Sequence, residues 1–377
     1  MSAAYDCCVV GSGPSGSSLA YFLASRGKKV LLLEKLALPR YKPCGGGLAP
    51  TVQDYFDFDL APAISTKVRK IRYSFAGERP IDAEIDTAEP LWMVRREVFD
   101  NFLCEQAAKA GTEVLDQTAL KGLRESEAGW TVIADKGEFE CGFVAACDGA
   151  KGQTASFLGF KDRQRSIAGA IEAEHPQPMS EPVLHLEMGM VRRGYLWNFP
   201  KADGQSLGIG VFRQKKKESS DPIRDRLDDY LKLFGLELSD CEQHGHPINL
   251  WNGHQRLHTR NAVLVGDAAC LVDPFTAEGI RPSIHSARIA ADSLLEAMEH
   301  GEKLDGYSRR VQQEIGEEMK WASRIATMFY QFPQAGYRAF AESPTGTQRL
   351  GQLLTGERTY KDLAGSAIKR LKAKIGL

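Results

Sequence analysis

The sequence predicts an α/β protein in which an antiparallel-sheet domain is inserted into a parallel-sheet domain and a helical region follows. Three observations carry this prediction. A glycine-rich turn near the N-terminus stands between an apolar strand and a helix, short alternating strands run from about Ser166 to Phe212, and helical patterns dominate after Gly279. The chain has 377 residues, enough for about two or three structural units.

The composition limits the classes of function. The 48 basic and 49 acidic residues leave a formal net charge of −1, which lacks the positive surplus that bulk nucleic-acid binding needs. The eight cysteines show no C-x-x-C spacing, and His244, His246, His254 and His258 have no acidic cluster beside them. No apolar run approaches the length of a membrane span. We therefore expect a reduced, cytoplasmic protein without a metal site.

The first segment predicts a phosphate-binding turn. Tyr5–Val10 forms an apolar strand, Gly11-Ser12-Gly13-Pro14-Ser15-Gly16 follows it, and a helical pattern continues. A second apolar strand, Lys28–Leu33, ends at Glu34. This order is typical of a Rossmann-like unit that binds a dinucleotide with its pyrophosphate at the helix N-terminus.

Each residue of this motif has a physical task. Gly11 permits the tight turn, Gly13 lets the backbone approach the pyrophosphate, and Gly16 lets the helix pack on the strand. Glu34 can accept hydrogen bonds from the ribose hydroxyls of an adenosine. Its charge disfavours a 2′-phosphate, so NADP is not expected at this turn.

The middle of the chain predicts a helix and then a block of strands. The helix runs from about Arg95 to Ala110, and Trp130–Ala134 and Phe139–Ala146 form a hairpin that leads to Cys147-Asp148-Gly149. The block that follows is expected to be antiparallel and to wall a pocket; its strands include Val183–Met188, Gly194–Phe199 and Ser206–Val211.

A further strand and two helices complete the pattern. Ala262–Val265 is an apolar strand that ends in Gly266-Asp267. A helix runs from Ile280 to about Met298, and another covers Gly306–Tyr330.

Taken together, these motifs resemble the FAD-dependent aromatic-hydroxylase superfamily. Its signatures appear in order as G-x-G-x-x-G, Arg96-x-x-Phe99-Asp100, Cys147-Asp148-Gly149 and Gly266-Asp267. Within it, three segments resemble the geranylgeranyl reductase group: Lys42–Leu48 (KPCGGGL), Tyr195–Pro200 (YLWNFP) and the late stretch Leu353–Leu363.

The resemblance implies FAD as the cofactor and a domain division. The FAD-binding domain would comprise 1–70, 95–160 and 255–300, the substrate domain 71–94 and 161–254, and the helical region 301–377. The matching positions imply cofactor contacts at Gly11, Gly13, Pro14, Ser15, Gly16, Glu34, Lys35, Cys44, Gly45, Gly46, Arg96, Asp148, Asp267, Gly279 and Ile280.

The same resemblance implies catalytic roles for Cys44, Tyr195 and Trp197. Tyr195, Trp197 and Phe199 alternate along one strand, so they share a face that either lines the pocket of a long apolar substrate, together with Pro274, or packs in a core. Cys44 would lie beside the flavin and shape the pocket or relay a proton. The alternative is a small cysteine that only packs.

The implied activity is the saturation of C=C bonds in a geranylgeranyl-type isoprenoid by hydride transfer from N5 of the reduced flavin and protonation. The electron donor would be NADPH or a reduced ferredoxin. A flavin monooxygenase and a quinone-linked electron-transfer flavoprotein remain alternatives. Halogenation is disfavoured, because Tyr195–Pro200 lacks the W-x-W-x-I-P pattern.

The C-terminal stretch 361–377 combines an apolar stripe with four clustered cations. This pattern is typical of a helix in a membrane interface, where it would make peripheral contact near an isoprenoid substrate. The same pattern also fits a helix that covers the core and exposes its lysines to water.

Overall fold

The computed structural model describes residues 4–160, 165–212 and 222–365 and has the predicted mixed α/β architecture. It divides into two compact units. The first unit comprises Met1–Lys42, Arg96–Ser166 and Ile248–Glu317. The second unit comprises Pro43–Arg95, Ile167–Pro247 and Glu318–Leu377.

The strands are numbered in chain order. They are β1 Tyr5–Val10, β2 Val30–Leu33, β3 Gly47–Leu48, β4 Thr66–Val68, β5 Lys70–Phe75, β6 Glu78–Glu84, β7 Leu91–Met93, β8 Glu113–Leu115, β9 Leu120–Ser126, β10 Gly129–Ala134, β11 Gly137–Ala146, β12 Ser166–His175, β13 Val183–Met188, β14 Gly194–Lys201, β15 Gly204–Phe212, β16 Glu242–Leu250, β17 His258–Thr259 and β18 Ala262–Leu264.

The α-helices follow the same convention. They are α1 Pro14–Ala24, α2 Arg96–Lys109, α3 Thr154–Phe157, α4 Ile223–Lys232, α5 Ile280–His300, α6 Asp305–Val311, α7 Glu317–Gln331, α8 Pro333–Phe340 and α9 Pro344–Leu354. A π-helical turn, Gln312–Gly316, joins α6 to α7.

The first unit is built on a sheet in the order β17-β18-β11-β1-β2-β8, which is parallel except that β17 is antiparallel to β18. The pairs β11–β1, β1–β2, β2–β8 and β11–β18 are parallel, and β9 and β10 extend β11 as an antiparallel meander. β1 and β2 are apolar runs with their central residues fully buried, as strands covered on both faces require. Their carboxyl ends bring the glycine turn and Glu34 to one edge.

The second unit contains a sheet in the order β16-β12-β15-β14-β13-β5-β6 and a small sheet β3-β7-β4. In the larger sheet the pairs β12–β15, β14–β15, β13–β14 and β5–β6 are antiparallel, whereas β5 and β13 are parallel. Leu227, Tyr230 and Leu231 of α4 pack on one face, with Leu196 and Ile209. Tyr195, Trp197 and Phe199 therefore point to the opposite face.

The compact units differ from the domain division implied by the resemblance, and two of the differences follow directly from contacts. Residues 43–70 belong to the second unit, because β3 and β4 both pair with β7. Residues from 318 onward also belong to it: Tyr337 of α8 donates its hydroxyl hydrogen to the carbonyl oxygen of Arg79, 2.7 Å away.

The C-terminal prediction falls mostly outside the described residues, which end at 365. Residues 360–365 are helical, and Tyr360 and Leu363 are buried. Across the described ranges, no helix has both the length and the apolar character that crossing a bilayer requires.

Candidate cofactor and substrate sites

The glycine turn of the first unit leaves no room for a side chain at its end. A Cβ added at Gly16 would lie 1.8 Å from the carbonyl oxygen of Gly11, and Gly11 itself has a φ of 102°. α1 begins directly after Gly13 with Pro14, which is favoured at the first helical position. The amides of Ser15 and Gly16 thus lie in the first turn of α1, where helices bind anions.

Two guanidinium groups lie beside this turn. A Cβ at Gly13 would lie 3.7 Å from Nη2 of Arg40 and 3.9 Å from Nη2 of Arg96. Arg96 makes a bidentate pair with Asp100, with both N–O distances 2.7 Å, and Nη1 of Arg40 lies 3.2 Å from Oδ2 of Asp100. The turn is therefore bordered by two guanidinium groups that carboxylates hold in place. Sequence reasoning found Arg96 but missed Arg40, which lies in the loop after β2 and belongs to no motif.

Glu34 lies at the end of β2 and is only 5% exposed. Its Oε2 accepts hydrogen bonds from the Ser12 hydroxyl at 2.8 Å and from Nε of Arg40 at 3.0 Å, and the amide of Leu36 binds Oε1. Burial by itself would raise the pKa of this carboxyl, but Arg40 and these hydrogen bonds outweigh it and hold the pKa below its usual value. Glu34 is therefore an ionised acceptor next to the turn.

Asp267 and Gly279 come together although twelve positions separate them. Asp267 follows β18 in a 3₁₀ turn, and a Cβ at Gly279 would lie 3.3 Å from its Oδ1. Desolvation raises the pKa of Asp267, while the cations of Lys42 and Arg96 oppose that shift. Gly279 directly precedes α5, so the carboxyl group lies near the N-terminus of a long helix.

Three other predicted site residues of the first unit lie in different surroundings. Oδ2 of Asp148 accepts from the amide and hydroxyl of Thr154, at 2.9 Å and 2.6 Å, so this side chain caps α3. Lys35 is exposed to solvent after β2, and Pro274 is half-buried in the loop before α5. Their predicted contacts with cofactor or substrate stay predictions.

In the second unit, the Cys44 turn packs directly on the aromatic strand β14. A Cβ at Gly45 would lie 2.9 Å from Cδ2 of Phe199 and 3.0 Å from Nε1 of Trp197. The Trp197 ring lies 6.1 Å from that of Tyr195 and 6.3 Å from that of Phe199, measured between centroids. We call Tyr195, Trp197 and Phe199 the aromatic wall. Two segments 150 residues apart, singled out separately in the sequence, thus meet.

Cys44 is half-buried, and the amide of Gly46 donates to its sulfur at 3.4 Å. Lys201 stabilises the turn. Its ammonium donates hydrogen bonds to the carbonyl oxygen of Gly45 at 2.5 Å and to that of Val94 at 3.0 Å. Sequence reasoning missed Lys201. The available signal was its position directly after Pro200, at the end of the aromatic motif.

The residues of the first unit fit FAD. The space beside Gly13 is bordered by two guanidinium groups and an α-helix N-terminus, which suits a pyrophosphate. An ionised acceptor follows β2, which suits a ribose. A second acid, Asp267, lies beside Gly279, which directly precedes α5. The fold and this set of donors and acceptors define a flavoprotein of the FAD-binding class.

Comparison with known proteins supports the assignment to FAD-binding flavoproteins and identifies the family within that class. Residues 4–320 match the family model described as "FAD binding domain". The chain is 32% identical to the geranylgeranyl diphosphate reductase of Synechocystis over 78% of this chain and 76% of that protein. It is 29% identical to digeranylgeranylglycerophospholipid reductase 2 of Methanothermobacter thermautotrophicus, over 84% and 85% of the two chains. The chain belongs to the geranylgeranyl reductase family of FAD-dependent oxidoreductases.

A solved structure shares the fold over almost the whole chain. It is a geranylgeranyl bacteriochlorophyll reductase-like protein from Thermoplasma acidophilum, with a TM-score of 0.77 and 23% identity. The similarity covers 93% of this chain and 91% of that one. The predicted fold class, an FAD-binding α/β domain with a further sheet and a helical C-terminal region, is confirmed.

Proposed function

We propose that this protein saturates C=C bonds in the isoprenoid chain of a geranylgeranyl-type lipid. The observation that carries the proposal is the packing of the Cys44 turn on the aromatic wall in the second unit. It places the turn that carries the Cys44 thiol against a row of three aromatic rings, a surface that suits a long unsaturated hydrocarbon. The two relatives described above are named as reductases of geranylgeranyl compounds, which supports the same substrate class.

The first unit would hold the cofactor by contacts that follow from its geometry. The amides of Ser15 and Gly16 and the guanidinium groups of Arg40 and Arg96 would bind the pyrophosphate. Glu34 would accept from the adenosine ribose, and Asp267 would bind the ribityl hydroxyls. Gly279 and Ile280 would lie along the pyrimidine edge of the flavin.

The reaction adds a hydride to one alkene carbon and a proton to the other. Reduced FAD, when bound, supplies the hydride. The Cys44 thiol would supply the proton: its S–H bond breaks as the new C–H bond forms, and a thiolate remains. The aromatic wall would hold the chain straight and keep water away from the carbon that receives the hydride. NADPH or a reduced ferredoxin would regenerate the reduced cofactor, and shallow contact with a membrane would shorten the path of the substrate.

The test uses the purified yellow protein, reduced with dithionite in the absence of oxygen and supplied with geranylgeranyl diphosphate and a geranylgeranylated glycerolipid. We expect the product mass to rise in steps of about two hydrogens, since each bond takes one hydride and one proton. Acid denaturation should release unmodified FAD. A product that forms only when oxygen is admitted and gains an oxygen atom would instead establish a hydroxylase.

A variant pair tests the thiol. Cys44→Ala should slow reduction at least about tenfold, because the proton donor is lost, while the FAD content stays unchanged. Cys241→Ala is the matched control: Cys241 is also half-buried and also belongs to the second unit, but it follows α4 away from the aromatic wall. Equal rates in the two variants would exclude Cys44 as the donor.

A further inference from the structure

An apolar stripe is exposed on α7, within the second unit. Trp321, Ile325 and Met328 recur at the spacing that places side chains on one face of a helix, and Phe332 follows directly after α7 ends. Met328 and Phe332 are 60% and 59% exposed, and Trp321 and Ile325 are half-buried. We call these four residues the α7 stripe. Large apolar side chains that are exposed together mark a surface that binds a partner.

The neighbouring face of α7 is packed, so the stripe belongs to a helix that is fixed in place. Phe329 is buried, and a Cβ added at Gly336 of α8 would lie 2.5 Å from Cδ2 of Phe329. The glycine thus allows α8 to approach α7 closely. α8 is held in turn by Tyr337, whose hydroxyl donates to the carbonyl oxygen of Arg79 at 2.7 Å. The stripe is the part of this packed helix that stays outside.

The charges of the segment that carries the stripe are all positive. From 319 to 341 the sequence contains the cations Lys320, Arg324 and Arg338 and no acidic residue. Arg324 and Arg338 are exposed, and the guanidinium carbon of Arg324 lies over the Trp321 ring, 4.7 Å from its centroid. An apolar surface bordered by cations is complementary to a membrane with anionic headgroups, and tryptophan is typical of the membrane–water interface.

The other side of α7 is connected to the aromatic wall. The ring of Tyr330 lies 5.4 Å from that of Phe212 at the end of β15, and the Phe212 ring lies 6.0 Å from that of Tyr195. Tyr330 and Met328 are two positions apart, a rotation of about 200°, so their side chains point to opposite sides of the helix. A helix with its side chains is about 10–12 Å across. Along this row of contacts, only α7 and the Phe212 ring separate the stripe from the aromatic wall.

We propose that the α7 stripe docks on a membrane that contains anionic lipids, and that the isoprenoid substrate enters the second unit from this side. The entry of substrate rests on the proposed function. The stripe inserts among the acyl chains near the headgroups, and Arg324 and Arg338 bind the headgroup phosphates. Stable attachment of a peripheral protein takes two signals. The stripe supplies one of them and the cationic stretch 366–377 supplies the other, so the loss of either releases the protein.

The test measures how the FAD-loaded full chain partitions onto vesicles of phosphatidylglycerol and phosphatidylcholine by flotation. Met328→Gln combined with Phe332→Gln should lower the partition coefficient at least about tenfold, because two apolar side chains no longer leave water. Ile167→Gln combined with Leu233→Gln is the matched control. These residues are 45% and 52% exposed in the second unit, but they lie on β12 and directly after α4. The control should bind like the wild-type protein.

A second measurement does not depend on the folding of the double variant. Vesicles made with brominated phosphatidylcholine and phosphatidylglycerol quench the fluorescence of tryptophans that reach the acyl chains. The chain has five tryptophans, and the difference between the wild-type protein and Trp321→Phe isolates the one in the stripe. We expect quenching in the wild-type protein and much less in Trp321→Phe. Bound wild-type protein without any quenching would contradict insertion of the stripe and overturn the proposal.

Two flotation results would also overturn the proposal. The first is a double variant of Met328 and Phe332 that binds vesicles as well as the wild-type protein. The second is a wild-type dimer in light scattering that dissociates in the double variant while vesicle binding stays intact, because the stripe would then contact a second copy of this chain.

Reduction assays separate docking from the proposed function. With a geranylgeranylated glycerolipid in vesicles, the double variant should be at least about tenfold slower than the wild-type protein, whereas the two should be equal with the same lipid in detergent. An equal loss in both forms would overturn the proposal, because the stripe would then act on the fold or the chemistry. Lost flotation in the double variant, with no isoprenoid reduced by the wild-type protein, would reject the proposed function and keep the docking surface. Reduction with unchanged flotation would reject the docking surface alone.

Discussion

Gly208 lies directly under the indole of Trp197, whereas Gly210, two residues further along β15, has only ordinary contacts. A Cβ at Gly208 would lie 2.1 Å from Cζ2 of Trp197, but a Cβ at Gly210 would lie 3.8 Å from Cζ3 of Trp197 and from Phe212. Both backbones are extended strand, so the two positions differ in space rather than in conformation. Substitution at Gly208 must therefore displace the Trp197 ring and its hydrogen bond to Ser206.

This difference gives a prediction for the substrate side of the site. Gly208→Ala should reduce the rate of isoprenoid reduction roughly tenfold or more, since overpacking of this kind costs about 1–3 kcal/mol and moves a wall residue. The FAD content should not change, and the tryptophan fluorescence should shift. Gly210→Ala is the control and should behave like the wild-type protein. An unchanged rate in Gly208→Ala would mean that the aromatic wall does not contact the substrate, and equal loss in both variants would point to a general effect on β15.

Single residues also show where sequence reasoning stops. Glu34, Cys44 and the aromatic residues of β14 were found because each belongs to a local motif. Arg40 belongs to no motif, and Lys201 has only its position after Pro200 as a signal, because their contacts, with Asp100 and with the carbonyl oxygen of Gly45, join segments that are far apart in sequence. Ion pairs and buried acids depend on tertiary structure, and alternating strand residues look alike until the register is known.

Among the secondary-structure elements, the apolar runs were predicted most accurately. β1 and β13 have the predicted bounds. α2 begins and ends within one residue of the helix that the sequence predicts. The predicted helix Gly306–Tyr330 is interrupted in the structure by the π turn Gln312–Gly316. A Cβ at Gly316 would lie 2.9 Å from the His254 ring, so the glycine permits a close approach at this irregular turn. Helical periodicity alone does not register such a contact.

The face of β13 that is covered by α4 gives a prediction about stability. Glu187 accepts from the Ser74 hydroxyl, and His185 on the same face hydrogen-bonds to the Tyr230 hydroxyl of α4 at 2.7 Å. Burial raises the pKa of Glu187 to about 7. Because the folded pKa lies above the unfolded value of about 4.3, the stabilisation from the neutral form is complete below that value and is lost as the pH rises through 7.

Replacement by glutamine keeps the neutral shape and removes the titration. We therefore expect Glu187→Gln to flatten the fall in Tm between pH 5 and pH 8, measured by scanning calorimetry, and to be at least as stable as the wild-type protein at pH 8. Glu181→Gln serves as the control, because that residue is exposed just before β13 and pairs with Lys70 at the surface. If Glu187→Gln showed the same fall in Tm with pH as the wild-type protein, Glu187 would not be the titrating group.

At the scale of the whole molecule, the comparisons and the sequence agree on an FAD-binding chain, and the structure groups its segments into two compact units. Residues 43–70 follow the glycine turn in sequence and were assigned to the FAD-binding domain. They join the second unit because β3 and β4 are short strands whose partner, β7, comes later in the chain. Strands of two or three residues leave too weak a pattern to reveal such pairing.

The C-terminal stretch is predicted to bind a lipid surface, and the packing just before it decides where a test deletion can begin. Tyr360 and Leu363 are buried, and the amide of Tyr360 donates to Glu318 at 2.8 Å. A deletion that starts at 361 would remove Leu363 from this packing, so the test should delete 366–377, which contains the cluster of Lys369, Arg370, Lys372 and Lys374. An apolar stripe beside such cations binds anionic lipid surfaces, and salt screens that attraction.

We expect the full chain to float with liposomes that contain phosphatidylglycerol, less so with phosphatidylcholine alone, and less again in high salt. The chain that ends at residue 365 should no longer float but should keep its FAD and its Tm, because the packed Tyr360 and Leu363 remain. A truncated chain that loses FAD or unfolds would show that the stretch covers the core. A truncated chain that still floats would place the lipid contact elsewhere on the protein.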